Sequence, residues 1–281
     1  MKPLRLLLGA VFASGLLVAA SGAIADDTRK SLSSESVLET IKKRGALRVG
    51  LATFVPWAMR DKNGELIGFE IDVAKRLAED MDVGIEFVPT AWDGIIPALI
   101  AGKFDAIISG MSITSKRNLT VNFTRPYANT GYILMASTER ADEKGLKTLA
   151  DFNQPGITIA TRRASTGAVA MQKNFPKAKL IYFDDDTLAF QEAANGKVDG
   201  VSSTPPKAAF EIEKRGDKLR VVSHELMSPT REAFALRKGD PDALNFFGNW
   251  IQERQADGWL QERHAFWFTT REWADMVAPK Q

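Results

Sequence analysis

The chain has no cysteine among its 281 residues. That excludes disulfide staples, thiolate catalysis, cysteine-ligated zinc, iron–sulfur clusters and lipid attachment through an N-terminal Cys. Histidine is nearly as scarce, with only His224 and His264, so a histidine-rich metal site is not expected, nor any cofactor. Neither sign of charge is in excess: 37 Lys and Arg face 35 Asp and Glu. The one basic cluster, Lys42-Lys43-Arg44, stands beside Glu39 and reads as a solvated helix end. Such a balance gives no electrostatic reason to expect nucleic acid or an anionic membrane as partner. The single long apolar run, residues 6–20, is shorter than the roughly 20 residues a spanning helix needs.

What is present is 44% hydrophobic and 26% charged, the balance of a folded soluble protein. The apolar run follows Lys2 and Arg5 and precedes Ala23-Ile24-Ala25. A basic start, an apolar stretch and a small-residue motif predict a secretory signal peptide over residues 1–25 and a periplasmic protein. Setting aside Lys2 and Arg5 leaves 35 basic and 35 acidic residues, a formal net charge of zero.

The remaining length suits two lobes better than one core. Leu47 to Leu51 reads as a strand, and residues 68–81 as a helix with Phe69, Val73, Leu77 and Met81 on one face. A strand at 85–88 follows, then a helix opened by Asp93 with Ile96, Leu99 and Ile100 inward, and a strand at 104–108. The same alternation restarts at 158–160 and runs through a helix at 165–175, a strand at 179–182, a helix at 186–195, a strand at 198–202 and a helix at 205–215. Two parallel-type sheets with flanking helices are predicted, an α/β class. Two C-terminal helices, 241–257 and one through Trp259, Leu260, Phe266 and Trp267, carry large apolar faces. Docking them on the first lobe requires two chain crossings, near Tyr132 and near Arg231. Lobe 1 is then 26–131 with 233–281, lobe 2 is 132–232, and a hinged cleft lies between them.

In an open parallel sheet, ligands bind beyond the carboxyl ends of the strands. That edge holds Ser109-Gly110-Met111-Ser112, a helix start near Thr114 and then Arg117. A guanidinium fork beside helix-terminal amides suits a carboxylate; an Arg on a solvated turn is the plainer alternative. In the second lobe, Ser165 and Thr166 open a helix after Arg162 and Arg163, as a second anion grip or an ordinary N-cap. Phe54, Trp57 and Trp92 stand in strand-to-helix connections at the same edge, as a ligand box or as satellite core.

With these segments the chain resembles the family 3 periplasmic solute-binding proteins, the amino-acid receptors of ABC importers. The resemblance is carried by Leu47-Arg48-Val49-Gly50, Asn63-Gly64-Glu65-Leu66-Ile67-Gly68-Phe69-Glu70-Ile71-Asp72, Trp92-Asp93-Gly94-Ile95-Ile96-Pro97-Ala98-Leu99, the stretch from Gly102 through Arg117, Phe123-Thr124-Arg125-Pro126-Tyr127, Asn195-Gly196-Lys197-Val198-Asp199-Gly200 and Arg237-Lys238-Gly239-Asp240-Pro241. It implies a type II two-lobed fold with a two-crossing hinge, and a monomer that closes on an amino acid or small carboxylate and delivers it to a membrane permease. In its terms Arg117 holds the ligand carboxylate with help from Ser165 and Thr166. Gly110 and Ser112 help hold the amine, and Phe54 and Trp92 enclose the side chain. The missing Cys then points to a free periplasmic receptor.

Two departures bear on the ligand. The amine-binding Asp of the family falls on Thr204, which offers a hydroxyl without charge; Glu232 and Asp184 are candidate substitutes, with an ordinary surface role the plainer alternative for each. Leu51 stands where members preferring basic amino acids often carry an acid, and with Arg162 this argues against Lys, Arg or ornithine. The rival expectation is an enzyme, because cyclohexadienyl dehydratases share the resemblance. Where they carry a carboxylate, this chain has Ala168.

Overall fold

The computed structural model describes residues 36–270 and 272–277. The signal-peptide motif, residues 1–25, lies outside them. Two sheets organise the rest. In the first, the strands run in the order Gly84–Pro89, Ala46–Leu51, Ala106–Ile107, Ala235–Leu236, Asn122–Phe123. In the second the order is Leu219–Val221, Ala128–Ser137, Gly200–Ser203, Thr158–Arg162, Lys179–Phe183.

The predicted parallel pairing forms the core of each sheet: Ala46–Leu51 runs parallel to both neighbours, and Thr158–Arg162 parallel to both of its own. The edges differ. Ala235–Leu236 enters the first sheet antiparallel, and Ala128–Ser137 enters the second antiparallel. Both sheets are therefore mixed, because the chain that crosses between lobes returns against the strand direction. The crossings are themselves paired: Ala128–Ser137 lies antiparallel to Met227–Glu232, with Thr130 opposite Thr230 and Ala128 opposite Glu232. Two joined strands resist twisting more than two loops would, so the hinge is a ribbon.

The helices form where the apolar spacing placed them. Phe69–Asp80 buries Phe69, Val73 and Leu77, and the C-terminal helices Pro241–Ala256 and Trp259–Phe268 pack Phe247, Trp250, Ile251, Leu260 and Trp267 into the same first-lobe core. The helix expected to open at Asp93 begins instead as a 3-10 turn, Trp92–Gly94, followed by the short helix Ile95–Ile100. That turn shifts the apolar face to Ile95 and Leu99 and leaves Ile100 exposed.

The two lobes repeat one device. Asp105 accepts from the Arg48 amide at 2.8 Å and pairs with Arg44, while Asp199 accepts from the Thr158 amide at 2.8 Å and pairs with Lys144 at 2.7 Å. In each case a carboxylate accepts from an amide in the first half of the neighbouring parallel strand and is neutralised from a preceding helix. The Gly-Lys-Phe-Asp and Gly-Lys-Val-Asp segments are thus structural.

Gly68 fixes the entry to the Phe69–Asp80 helix. Its φ is +135°, and an added Cβ would lie 2.4 Å from the Trp57 carbonyl oxygen. Because that neighbour is backbone, it cannot rotate away. Gly68→Ala is expected to cost about 2 to 4 kcal/mol and to lower Tm by roughly 5 to 15 °C in thermal unfolding.

Candidate ligand-binding site

The cleft between the lobes is nearly closed, holding a cavity of about 30 Å³. Its first-lobe wall is Phe54, Trp57, Trp92, Ser109 and Gly110. Ser109 ties the loops of that wall together, its hydroxyl accepting from the Ala52 amide at 2.8 Å. Gly110 has φ +53°, and its amide donates to the Glu70 carboxylate, which also accepts from the Tyr127 hydroxyl. Glu70 thus fixes the binding-loop backbone from below. Its burial outweighs both donors and pushes its pKa up to about 7.

Trp57 is 2% exposed and packs edge-on against Phe69, Tyr127 and Phe268, so it is mainly core that presents one surface to the cleft. Met111 does not line the cleft. It is buried in the cluster of Trp92, Ile95, Leu99 and Phe104, because alternation along the strand end turns it away from the side that Gly110 faces.

The lobes meet directly. The Ser112 and Thr166 hydroxyls lie 3.0 Å apart across the cleft, and Thr166 is 2.8 Å from the Tyr132 hydroxyl. The Ala164 carbonyl of the second lobe accepts from the Trp92 indole at 3.2 Å and from Arg117 at 3.2 Å. Ala164 holds φ +55°, a region disfavoured for residues with a Cβ, and in that conformation its carbonyl reaches the first lobe. Arg117 also donates to the Ser112 carbonyl at 3.0 Å and sits 5.4 Å from the Trp92 ring centre. Thr114 caps its helix as expected, and burial pulls the Arg117 pKa down from its ordinary value. Ser112, Thr166 and Arg117 therefore bridge the lobes at the rim, while Ser165 lines the cleft itself and caps its helix through the Ala168 amide.

Arg162 lies in the cleft with its guanidinium 4.4 Å from the Trp92 ring and 5.2 Å from that of Phe54. It pairs with Asp186 at 3.0 Å. Of the three consecutive acids 184–186, the first is exposed and pairs with Arg163, the second caps a helix, and only Asp186 faces the cleft. Asp184 is thereby removed as an amine partner, and Arg163 as a cleft cation. Burial pushes the Asp186 pKa up against the opposing pull of Arg162 and Lys207.

Glu232 stands at the end of the second hinge strand, 1% exposed, where the sequence favoured a surface role for it. One carboxylate oxygen accepts from Thr230 at 2.6 Å and Ser112 at 3.2 Å; the other is buried without a hydrogen-bond partner among the described residues. Burial raises its pKa to about 7. The Thr204 hydroxyl is likewise buried, lines the cleft and has no partner among the described residues. Sequence reasoning missed Asp186, Glu70, Thr130 and Tyr132 at the site. The available signal was the acid run at the carboxyl end of a second-lobe strand.

Two mixed sheets, a paired-strand hinge and a polar cleft with cations and acids on its walls define a two-lobed solute-binding protein. Bacterial extracellular solute-binding proteins, family 3, match residues 47–270, and the chain belongs to that family. The L-cystine-binding protein of Escherichia coli (strain K12) is 30% identical over 254 residues, covering 89% of this chain and 93% of that protein. Among solved structures, an ancestral amino acid-binding protein described as a precursor of cyclohexadienyl dehydratase is 39% identical with a TM-score of 0.74, covering 83% of this chain and 99% of that one. An ancestral arginine-binding protein bound to arginine is 34% identical with a TM-score of 0.72, covering 80% and 99%.

Proposed function

We propose that this chain is the substrate-binding component of an ABC importer, exported by residues 1–25 to the periplasm, that closes on a non-basic amino acid and presents it to a permease. Lobe 1 is 26–131 with 233–281, and lobe 2 is 132–232. The observation that carries the reading is the polarity of the cleft: Glu232 and Thr204 offer unpartnered oxygens, and the Arg117 guanidinium stands as a cation at its rim. A zwitterion fits that polarity, with its ammonium at Glu232 and its carboxylate at Arg117. The acid missing at Thr204 is thus supplied by the hinge strand instead. Closure follows because the Ser112, Thr166 and Ala164 contacts join the lobes only when they approach, so a ligand touching both walls favours the closed state.

A thermal-shift screen of amino acids, small carboxylates and amines tests this. The right ligand at 100 times its Kd adds about 2.7 kcal/mol, roughly 5 to 10 °C in a chain of this size. In Glu232→Gln the shift for that ligand should fall by at least half; an undiminished shift would place the ammonium elsewhere.

The enzymatic alternative draws on one observation, since a buried cleft carboxyl with a pKa of about 7 could act as a proton donor. Against it stands Ala168 at the position of the dehydratase acid. Incubation with prephenate is expected to give no aromatic product.

A further inference from the structure

The side-chain end of the cleft already contains a cation. Arg162, from the second lobe, is held against the rings of Phe54 and Trp92, from the first. Its Nε is buried and has no hydrogen-bond partner among the described residues. Asp186 does not cancel its charge alone, because the same carboxylate also feels Lys207, which is 4% exposed and is paired with Glu211 at 2.7 Å. Glu211 in turn pairs with Arg215 at 2.5 Å. The row Arg162, Asp186, Lys207, Glu211, Arg215 therefore alternates in sign, and Asp186 is shared between Arg162 and the buried Lys207. Arg117 adds a second guanidinium against the same Trp92 ring.

We propose that Arg162 is a specificity-determining residue, and that the ligand is an amino acid whose side chain ends in a second carboxylate, received by the free Nε of Arg162. The proposal rests on the amino-acid reading above, which sets the first carboxylate at Arg117. Each alternative side chain fails on a stated ground. A cationic terminus would have to expel Arg162 from between two rings and face it as a like charge. An apolar terminus leaves the buried Nε of Arg162 without an acceptor, and an amide terminus gives it only a neutral one. A carboxylate gains a charge-assisted hydrogen bond in a water-poor setting. Two ligand types carry that group: a simple acidic amino acid, and a bis-amino acid whose distal ammonium would also meet Asp186.

Calorimetry with L-glutamate, L-glutamine, L-cystine and L-lysine decides. Wild type is expected to bind glutamate or cystine about 10- to 100-fold more tightly than glutamine, with lysine weakest. Cystine above glutamate identifies the two-headed ligand, and the reverse order the simple acid. Arg162→Gln leaves Asp186 unpaired, so Arg162→Gln/Asp186→Asn is measured beside it. In both variants the preferred carboxylate ligand should lose at least tenfold more affinity than glutamine does. Lysine or glutamine binding as tightly as both carboxylate ligands, or a preference preserved in both variants, overturns the assignment. Amino acids that bind without such a preference defeat this proposal alone; binding by none of them, nor by any amino acid in the thermal-shift screen, defeats the amino-acid reading with it.

Discussion

In Arg117→Ala, ligand binding is expected to weaken by about 100-fold or more, because truncating one partner of a buried charge pair leaves the ligand carboxylate desolvated and unmatched. The free protein should change far less. Arg117 donates to two backbone carbonyls, of Ser112 and Ala164, and only the second joins the lobes. Those bonds are offset by the burial that pulls the guanidinium pKa down, so a loss of about 1 kcal/mol in apo stability is expected. Arg117→Lys sharpens the comparison. It keeps the charge but loses the planar fork that satisfies two carbonyls and a carboxylate together, so affinity should fall between wild type and Arg117→Ala. Calorimetry with the ligand found by the screen, alongside apo melting curves, reads both quantities. Unchanged affinity in Arg117→Ala would move the carboxylate to another anchor, and a large apo loss would make Arg117 a structural clamp.

The reason the sequence pointed to Arg117 and overlooked Asp186 is physical. Arg117 follows a helix cap at Thr114, so spacing alone places it at the sheet edge. The acids 184–186 are chemically identical, and which of them faces the cleft depends on the turn between strand Lys179–Phe183 and helix Asp186–Ala194. Ala128–Ser137 was hidden for a related cause. It opens in the hinge with polar Asn129 and Thr130, and its partners there lie about a hundred positions downstream, a pairing that local periodicity does not encode. Nothing in the local sequence marks Glu232 as buried; its burial comes from the first lobe, where Ser112 approaches it. Met111 was legible and misjudged, since residues alternate across a strand end and Gly110 already faced the cleft. The helical faces of Phe69–Asp80 and Pro241–Ala256 followed directly from apolar spacing.

Stability is expected to fall as pH rises from about 5 to 8, with Glu70 and Glu232 as the cause. Both carboxyls are pushed from 4.5 to about 7, chiefly by burial, and the charge of Glu232 adds to the cost of ionising Glu70. A raised carboxyl pKa means that the folded chain keeps protons the unfolded chain releases above pH 4.5. Folding is therefore favoured below that window and loses the contribution as pH climbs through 7. Each group contributes on the order of 3 kcal/mol across the full interval. His264 works in the opposite sense near its ordinary range, since burial lowers its pKa, so wild type must be compared with Glu70→Gln, Glu232→Gln and the double variant. Melting curves at pH 5 and pH 8 should show a smaller difference in each single variant and the smallest in the double one. Ligand separates the two acids. An ammonium placed at Glu232 favours its ionised form, so binding near pH 6 should release a proton, seen in calorimetry as a dependence on buffer ionisation enthalpy. Glu70, which holds the Gly110 amide and the Tyr127 hydroxyl beneath the binding loop, should keep its share of the slope in the complex. A double variant with the wild-type pH dependence would reject both acids as its source, and proton release that persists in Glu232→Gln would reject Glu232 as the partner of the ammonium.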